Sequence, residues 1–218
     1  MSVASNLNAK ANASVESALP PLVLVVDDDA DVRASLTDMF LSVGMETLTY
    51  GSTAELMDAG LPDRPSCLIL DLRLPGVSGL ELQAQLSGKG IRLPIIFLTG
   101  YADVPTSVRA MKAGALDFLP KPFREQELLD AVAEALRFDG ERRRDEEEVN
   151  GIRALASQLT PRECDVLRGV GKGLLNKQIA FELGITEITV KMHRSSAGRK
   201  LKSVSVADMI RKIERLGL

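Results

Sequence analysis

The sequence predicts two domains: an α/β domain on a five-stranded parallel sheet with helices on both faces, then a smaller all-α domain of four short helices. Three observations predict it. Between Leu22 and Leu136, five apolar runs alternate with stretches of helical periodicity, the pattern of a doubly wound sheet. From Ile152 onward every periodic stretch is helical and no strand pattern occurs. Charge divides at the same place. Residues 151–218 hold 13 Lys+Arg against 6 Asp+Glu, about +7, and the other 14 Lys+Arg and 24 Asp+Glu leave residues 1–150 near −10.

Each element can be justified in order. Residues 1–20, rich in Ala, Ser and Asn, read as a disordered tail. Leu22-Val23-Leu24-Val25-Val26 is a continuous apolar run, suited to a strand buried on both faces. It ends in Asp27-Asp28-Asp29. Val32, Leu36, Met39, Phe40 and Val43 then mark a helix stopped at Gly44, with Asp29 as its cap and Asp31 solvated in its first turn. Glu46 to Tyr50 is a short second strand, and Ser52 can cap a helix running to Met57 or Ala59. Cys67 to Leu70 is the third strand, ended by Asp71 and broken at Pro75-Gly76. Ser78 to Leu86 is helical. Pro94 to Leu98 is the fourth strand, ending at Thr99-Gly100. Val104 to Ala113 is a helix stopped by Gly114. Ala115 to Leu119 is the fifth strand, before Pro120-Lys121-Pro122. Glu125 opens a long helix through Leu128, Leu129, Val132 and Leu136, which completes a first domain over residues 21–138.

Residues 139–151 read as a linker. They are almost wholly polar, with opposite charges at helical spacing that favour an exposed helix, and Gly140 is expected to break or loosen it. The second domain spans 152–218. Thr160-Pro161-Arg162-Glu163 is a capping box with Pro at the first helical position, opening a helix to about Gly171. Asn176 to Leu183 follows. Thr186 caps a helix from Glu187 to about Leu201, and Ser205 to Leu216 is the last. The tight Leu183-Gly184-Ile185-Thr186 connection makes the middle pair a helix-turn-helix candidate.

Composition narrows the function classes. Apolar content of 45% with 26% charged residues describes an ordinary globular chain. With no Trp, two Tyr and six Phe, modules that stack bases on aromatic platforms are disfavoured. Cys67 and Cys164 are too far apart in sequence to suggest a disulfide framework or a Cys-based metal site. No apolar run reaches the ~18 residues of a membrane span, and the first twenty residues lack a basic start and an apolar core. A cytoplasmic location without membrane partners is expected.

Right-handed crossovers bring the carboxyl ends of all five strands to one side, where open α/β sheets bind ligands. Four of those ends carry polar residues: Asp27 and Asp28, Asp71, Thr99, and Lys121. One Asp at a strand end is more often a turn residue. Four strands converging on one mouth argue for chemistry. The three carboxylates would repel one another without a cation among them. An oxygen-only, few-ligand set suits Mg²⁺ (or Mn²⁺), which accepts phosphate as a further ligand. Asp71 could then attack phosphorus as a nucleophile, with Lys121 supplying a point charge and Thr99 a hydroxyl. The product would be an aspartyl phosphate.

These motifs resemble a known family. Val26-Asp27-Asp28, Leu70-Asp71-Leu72-Arg73-Leu74-Pro75-Gly76, Leu98-Thr99-Gly100 and Asp117-Phe118-Leu119-Pro120-Lys121-Pro122-Phe123 are similar to the receiver domain of two-component response regulators. The resemblance implies a flavodoxin-like fold and Asp71 as phosphoacceptor. It implies Asp27 and Asp28 as metal ligands with Asp71, and Arg73 offering its backbone carbonyl. It also implies Thr99 and Lys121 as a switch pair that follows the phosphate, Phe118 as an aromatic switch residue, and Tyr101 at a position that tunes phosphoryl lifetime. On the residues alone, Phe118 is equally well a plain core residue of an edge strand.

Leu159-Thr160-Pro161-Arg162-Glu163, Asn176-Lys177-Gln178-Ile179-Ala180, Leu183-Gly184-Ile185 and Thr189-Val190-Lys191-Met192-His193-Arg194 resemble the LuxR-type output domain. Together the two halves are similar to response regulators of the FixJ/LuxR (NarL) type, a group that includes regulators of aromatic-compound catabolism. The second helix of the pair would enter the major groove of promoter DNA, with Glu187, Ile188, Thr189, Lys191, Met192, His193 and Arg194 as candidates for contact. Lys177, Arg199 and Lys200 would neutralise phosphates. The chain departs from the family at Ser195-Ser196-Ala197-Gly198, where Ala197 replaces a bulky aliphatic residue and Gly198 costs the helix about 1 kcal/mol.

The expected function is a phosphorylation-switched transcription regulator, with a sensor histidine kinase as donor, a homodimer formed on phosphorylation, and RNA polymerase as a further partner. The alternative is a DNA-binding regulator whose receiver serves only protein interaction. An enzyme is not expected: phosphohydrolases with an Asp nucleophile commonly place a second Asp two residues on, and Arg73 stands there.

Overall fold

The computed structural model describes residues 19–100 and 104–217. The chain divides into two compact units between Arg143 and Arg144.

The first unit holds strands β1 (Leu22–Val26), β2 (Glu46–Tyr50), β3 (Ser66–Asp71), β4 (Ile95–Thr99) and β5 (Asp117–Pro120). They form one parallel sheet in the order β2-β1-β3-β4-β5. This is the flavodoxin-like order, with its reversal of winding beside β1 and β3. Helices α1 (Ala30–Ser42), α2 (Thr53–Ala59), α3 (Gly79–Gly88), α4 (Val104–Lys112) and α5 (Glu125–Ala156) provide the connections. Two apolar clusters cover the faces. Leu24, Leu68, Leu70 and Phe97 pack under α2, α3 and α4, and Val25, Ile69, Ile96 and Leu98 pack under α1 and α5. Every residue of β1 and β4 is buried, as continuous apolar runs predict.

Local signals set most boundaries. Asp29 caps α1 by accepting from the backbone N–H groups of Asp31 and Val32, and Ser52 caps α2. Ser78 and Glu81 form a full capping box on α3. The fifth strand starts two residues later than its apolar run, because Ala115 still donates its N–H to Ala110 and closes α4. Helix α5 runs through Gly140 without a break. The reason is tertiary. Asp139 is fully buried, accepts from the Ser66 backbone N–H at 3.0 Å, and pairs with Arg142 and Arg143 at 2.5 and 2.8 Å. That tie outweighs the roughly 1 kcal/mol that a helical Gly costs.

The second unit contains α6 (Pro161–Gly171), α7 (Asn176–Leu183), α8 (Glu187–Lys200) and α9 (Val206–Leu216) around one apolar cluster that includes Val166, Leu167, Ile179, Val190, Leu201 and Ile213. Gly184, at φ +64°, ends α7 in the left-handed conformation and allows the short turn into α8. Helix α8 continues unbroken through Gly198, and Ala197 is fully buried. The small residues therefore fill their places in the bundle. No helix among the described residues is long and apolar enough to cross a membrane.

Candidate functional site

The topology brings the four polar strand ends together. Asp27 follows β1 and Asp71 is the last residue of β3, paired in register with Leu98. Carboxylate oxygens of Asp27, Asp28 and Asp71 lie within 4.8 Å of one another. Asp27 is 2% exposed, Asp28 is exposed and Asp71 is half-buried. The Lys121 ammonium stands between two of them, 2.5 Å from Asp27 Oδ2 and 3.0 Å from Asp71 Oδ2. Burial pushes its pKa down, but hydrogen bonds and charge from Asp27 and Asp71 outweigh this and hold it above the usual lysine value. Lys121 is therefore a permanent cation. Thr99 is 1% exposed at the end of β4, and its carbonyl accepts from the Lys121 backbone N–H at 2.7 Å.

Backbone and side-chain bonds fix the cluster. Asp27 Oδ1 accepts from the Asp29 N–H at 3.0 Å, and the Asp27 carbonyl accepts from Arg33 at 2.6 Å. Asp71 Oδ1 accepts from the Arg73 N–H at 3.1 Å, which turns the loop after β3 back over the acid. Gly79 is pressed against the same point: a Cβ there would sit 2.5 Å from the Asp71 carbonyl oxygen. Arg33 and Gly79 were not signalled by spacing. Their importance comes from contact across elements.

Three carboxylates outnumber the Lys121 ammonium and the Arg33 guanidinium, leaving a net negative, half-buried mouth. That charge and the all-oxygen donor set fit a hard divalent cation. Phe118, on the edge strand β5, is half-buried against Phe97 with ring centroids 6.2 Å apart. Tyr101 lies outside the described residues.

In the second unit, Glu187, Ile188, Lys191, Met192, Ser195 and Arg199 are exposed along one stripe of α8, while Val190 and Ala197 face the core. Ile188 and Met192 are 71% and 67% exposed. Lys177 is exposed on α7, and His193 is half-buried. Three candidates are engaged within the unit. Thr189 exchanges a hydroxyl hydrogen bond with the cap Thr186 at 2.8 Å, and Arg194 donates to Asn176 at 3.3 Å. Lys200 donates to Glu163 at 2.7 Å. Glu163 is 3% exposed. Burial raises its pKa, but bonds from Lys200, Thr160 and Ser196 bring it down to about 2. Lys200 thus neutralises a buried carboxylate of its own unit.

Residues 23–133 match the response regulator receiver domain, and residues 157–213 match the LuxR family of bacterial regulatory proteins. The chain belongs to the two-component response regulators. It combines a receiver with a LuxR-type DNA-binding domain and is a transcription regulator by family. This response regulator is similar to nodulation protein W of Bradyrhizobium diazoefficiens, 49% identical over 93% of this chain and 89% of that protein. It is also similar to the response regulator protein TmoT of Ectopseudomonas mendocina, 42% identical over 89% of each chain. Among solved structures, that of the response regulator StyR superposes with a TM-score of 0.79 at 46% identity, covering 90% of this chain and all of that one.

Proposed function

We propose that Asp71 accepts a phosphoryl group from a sensor histidine kinase and that this acceptance controls the binding of the output domain to promoter DNA. The observation that carries the proposal is the cluster of Asp27, Asp28, Asp71 and Lys121 at one mouth, with Thr99 buried beside it. In the step itself a carboxylate oxygen of Asp71 bonds to phosphorus, the bond from phosphorus to the kinase imidazole breaks, and the imidazole keeps that electron pair. Asp27, Asp28, Asp71 and the Arg73 carbonyl would hold Mg²⁺ (or Mn²⁺), which neutralises the phosphoryl oxygens when bound.

Lys121 is already placed to pass from Asp71 Oδ2 to a phosphoryl oxygen. Thr99, joined to Lys121 through the backbone, follows the new charge, and Phe118 beside Phe97 can repack with it. The exposed apolar residues of α4, Val104, Val108 and Met111, then supply a homodimer surface next to β5. A two-fold dimer aligns two copies of α8 on a two-fold DNA site. The exposed stripe of Glu187, Ile188, Lys191 and Met192 would face base edges. Lys177 and Arg199 would meet phosphates, and Thr189, His193 and Arg194 would orient the helix from its flanks. The residues work in a cytoplasmic regulator whose DNA-bound form contacts RNA polymerase.

The test is incubation of the full chain with a small acyl phosphate and Mg²⁺, read by intact mass, gel filtration and DNA footprinting. The expected result is a metal-dependent, alkali-labile phosphoryl group absent in Asp71→Asn, with dimer formation and tighter DNA protection. A labelled protein with unchanged oligomeric state and footprint would overturn the switch. Absence of any label would favour a receiver used only for protein interaction.

A further inference from the structure

Arg33 stands in the first turns of α1, half-buried, and its guanidinium reaches the mouth that holds the acids. Its Nη1 donates to the Asp27 carbonyl at 2.6 Å. Asp27 lies one residue past the last ladder pairs of β1, Val26 with Tyr50 and Val26 with Leu70, and its carbonyl takes a donor from a side chain. The guanidinium rests beside the turn after β2, where a Cβ on Gly51 would meet Nη1 at 3.6 Å. Glu55 holds that turn by accepting from the Gly51 N–H at 2.8 Å. Arg33 has no carboxylate partner among the described residues. A full positive charge therefore stands next to acids that suit a divalent cation, where charge alone works against that cation. What the placement secures is the hydrogen bond.

The bonded carbonyl belongs to the peptide between Asp27 and Asp28. Fixing that peptide fixes the direction in which both side chains leave the backbone. Asp27 has further restraints, because Oδ1 accepts from the Asp29 N–H at 3.0 Å and Oδ2 accepts from Lys121. Asp28 is exposed, and its carboxylate makes no hydrogen bond or ion pair among the described residues. One of its oxygens nevertheless lies within 4.8 Å of oxygens of Asp27 and Asp71. Its aim is thus set by the backbone. We infer that Arg33 is a positioning residue for the divalent cation: by holding the Asp27–Asp28 peptide it keeps the Asp28 carboxylate converged with those of Asp27 and Asp71. The inference rests on the reading of this mouth as the metal-assisted phosphoacceptor site. Arg33 acts through Asp28 and touches neither the cation nor the phosphoryl group. An orienting partner of this kind is worth about tenfold or more in metal affinity.

The test is a Mn²⁺ titration of the unphosphorylated full chain, with free Mn²⁺ counted from its electron paramagnetic resonance signal, so no phosphorylation step enters the readout. Arg33→Met keeps an apolar stem and removes the donors together with the charge. Binding weaker by about tenfold is expected. Loss of charge alone gives the opposite sign, because removing a cation from beside the site tightens binding. Asp28→Asn separates positioning from a general loosening of the fold. In that background Arg33→Met should cost less than about threefold, since the carboxylate it aims is already gone. Urea unfolding of each variant establishes that the titrations read folded protein. Unchanged or tighter binding by Arg33→Met, or the same loss in the Asp28→Asn background, would overturn the role of Arg33 and leave the metal site standing. No saturable Mn²⁺ binding by the wild type would overturn the site itself and the inference with it.

Discussion

Replacing Lys200 with Met separates two roles that its position on α8 allows. The geometry assigns Lys200 to the bundle. Its ammonium lies 2.7 Å from Glu163 Oε2, and the same oxygen accepts from the Thr160 backbone N–H at 2.7 Å. Burial raises the Glu163 pKa, and these bonds lower it from 4.5 to about 2. A depression of that size corresponds to about 3 kcal/mol of stability at neutral pH as an upper bound. The Lys200 side chain is 31% exposed, so solvent screening reduces its own share, and the capping box survives its loss. We expect Lys200→Met to destabilise the second unit by about 1–2 kcal/mol at pH 7.

Because the folded pKa is depressed, the Glu163 contribution is complete above pH 4.5 and fades as pH falls from there toward about 2. Wild type should therefore lose stability through that window, and Lys200→Met should lose less of it, having less to lose. Hydrogen exchange of the α6 and α8 amides in the full chain measures both effects. DNA binding is followed across salt concentrations. A residue that neutralises a phosphate contributes about 1 to the slope of log affinity against log salt. An unchanged slope with weakened protection is expected. A slope lower by about 1, with protection intact, would refute this reading and return Lys200 to the DNA surface.

Three other substitutions test the packing that supports each site. Gly198→Ala should stabilise the second unit by about 0.5–1 kcal/mol in urea unfolding, since helix propensity improves and the added Cβ meets only Met209 Sδ at 3.8 Å. Gly79→Ala should cost on the order of 2 kcal/mol and slow acyl-phosphate labelling of Asp71, because the Cβ would sit 2.5 Å from the Asp71 carbonyl oxygen and 3.0 Å from Phe97. Asp139→Ala should cost about 3 kcal/mol in the same unfolding assay, as it strips the partner from two arginines and from the Ser66 N–H.

The contrast between Asp71 and Asp139 shows what the sequence carries. Asp71 ends an apolar run, and the handedness of crossovers places every such end on one side. A local pattern plus one topological rule was enough to gather Asp27, Asp71, Thr99 and Lys121. Asp139 stands in a run of charges that reads as solvated, and its burial depends on a partner 73 residues away. One signal was available: Leu128, Val132, Ala135 and Asp139 follow at helical spacing, so position 139 continues the buried stripe of α5. Spacing alone gives the direction of a side chain and says nothing of what it meets there. Gly140 fails in the same way, read from local propensity when a contact from another element decides its role, and the ion pair of Lys200 with Glu163 is equally silent in the sequence. The exposed stripe of α8 lies between these cases. Its direction was legible from the helical period, but the pairing of Lys200 with Glu163 required knowing that Glu163 is buried beside it. Buried charge is thus the least legible part of this protein, because a Lys or Asp carries the same letter whether water or an opposite charge surrounds it.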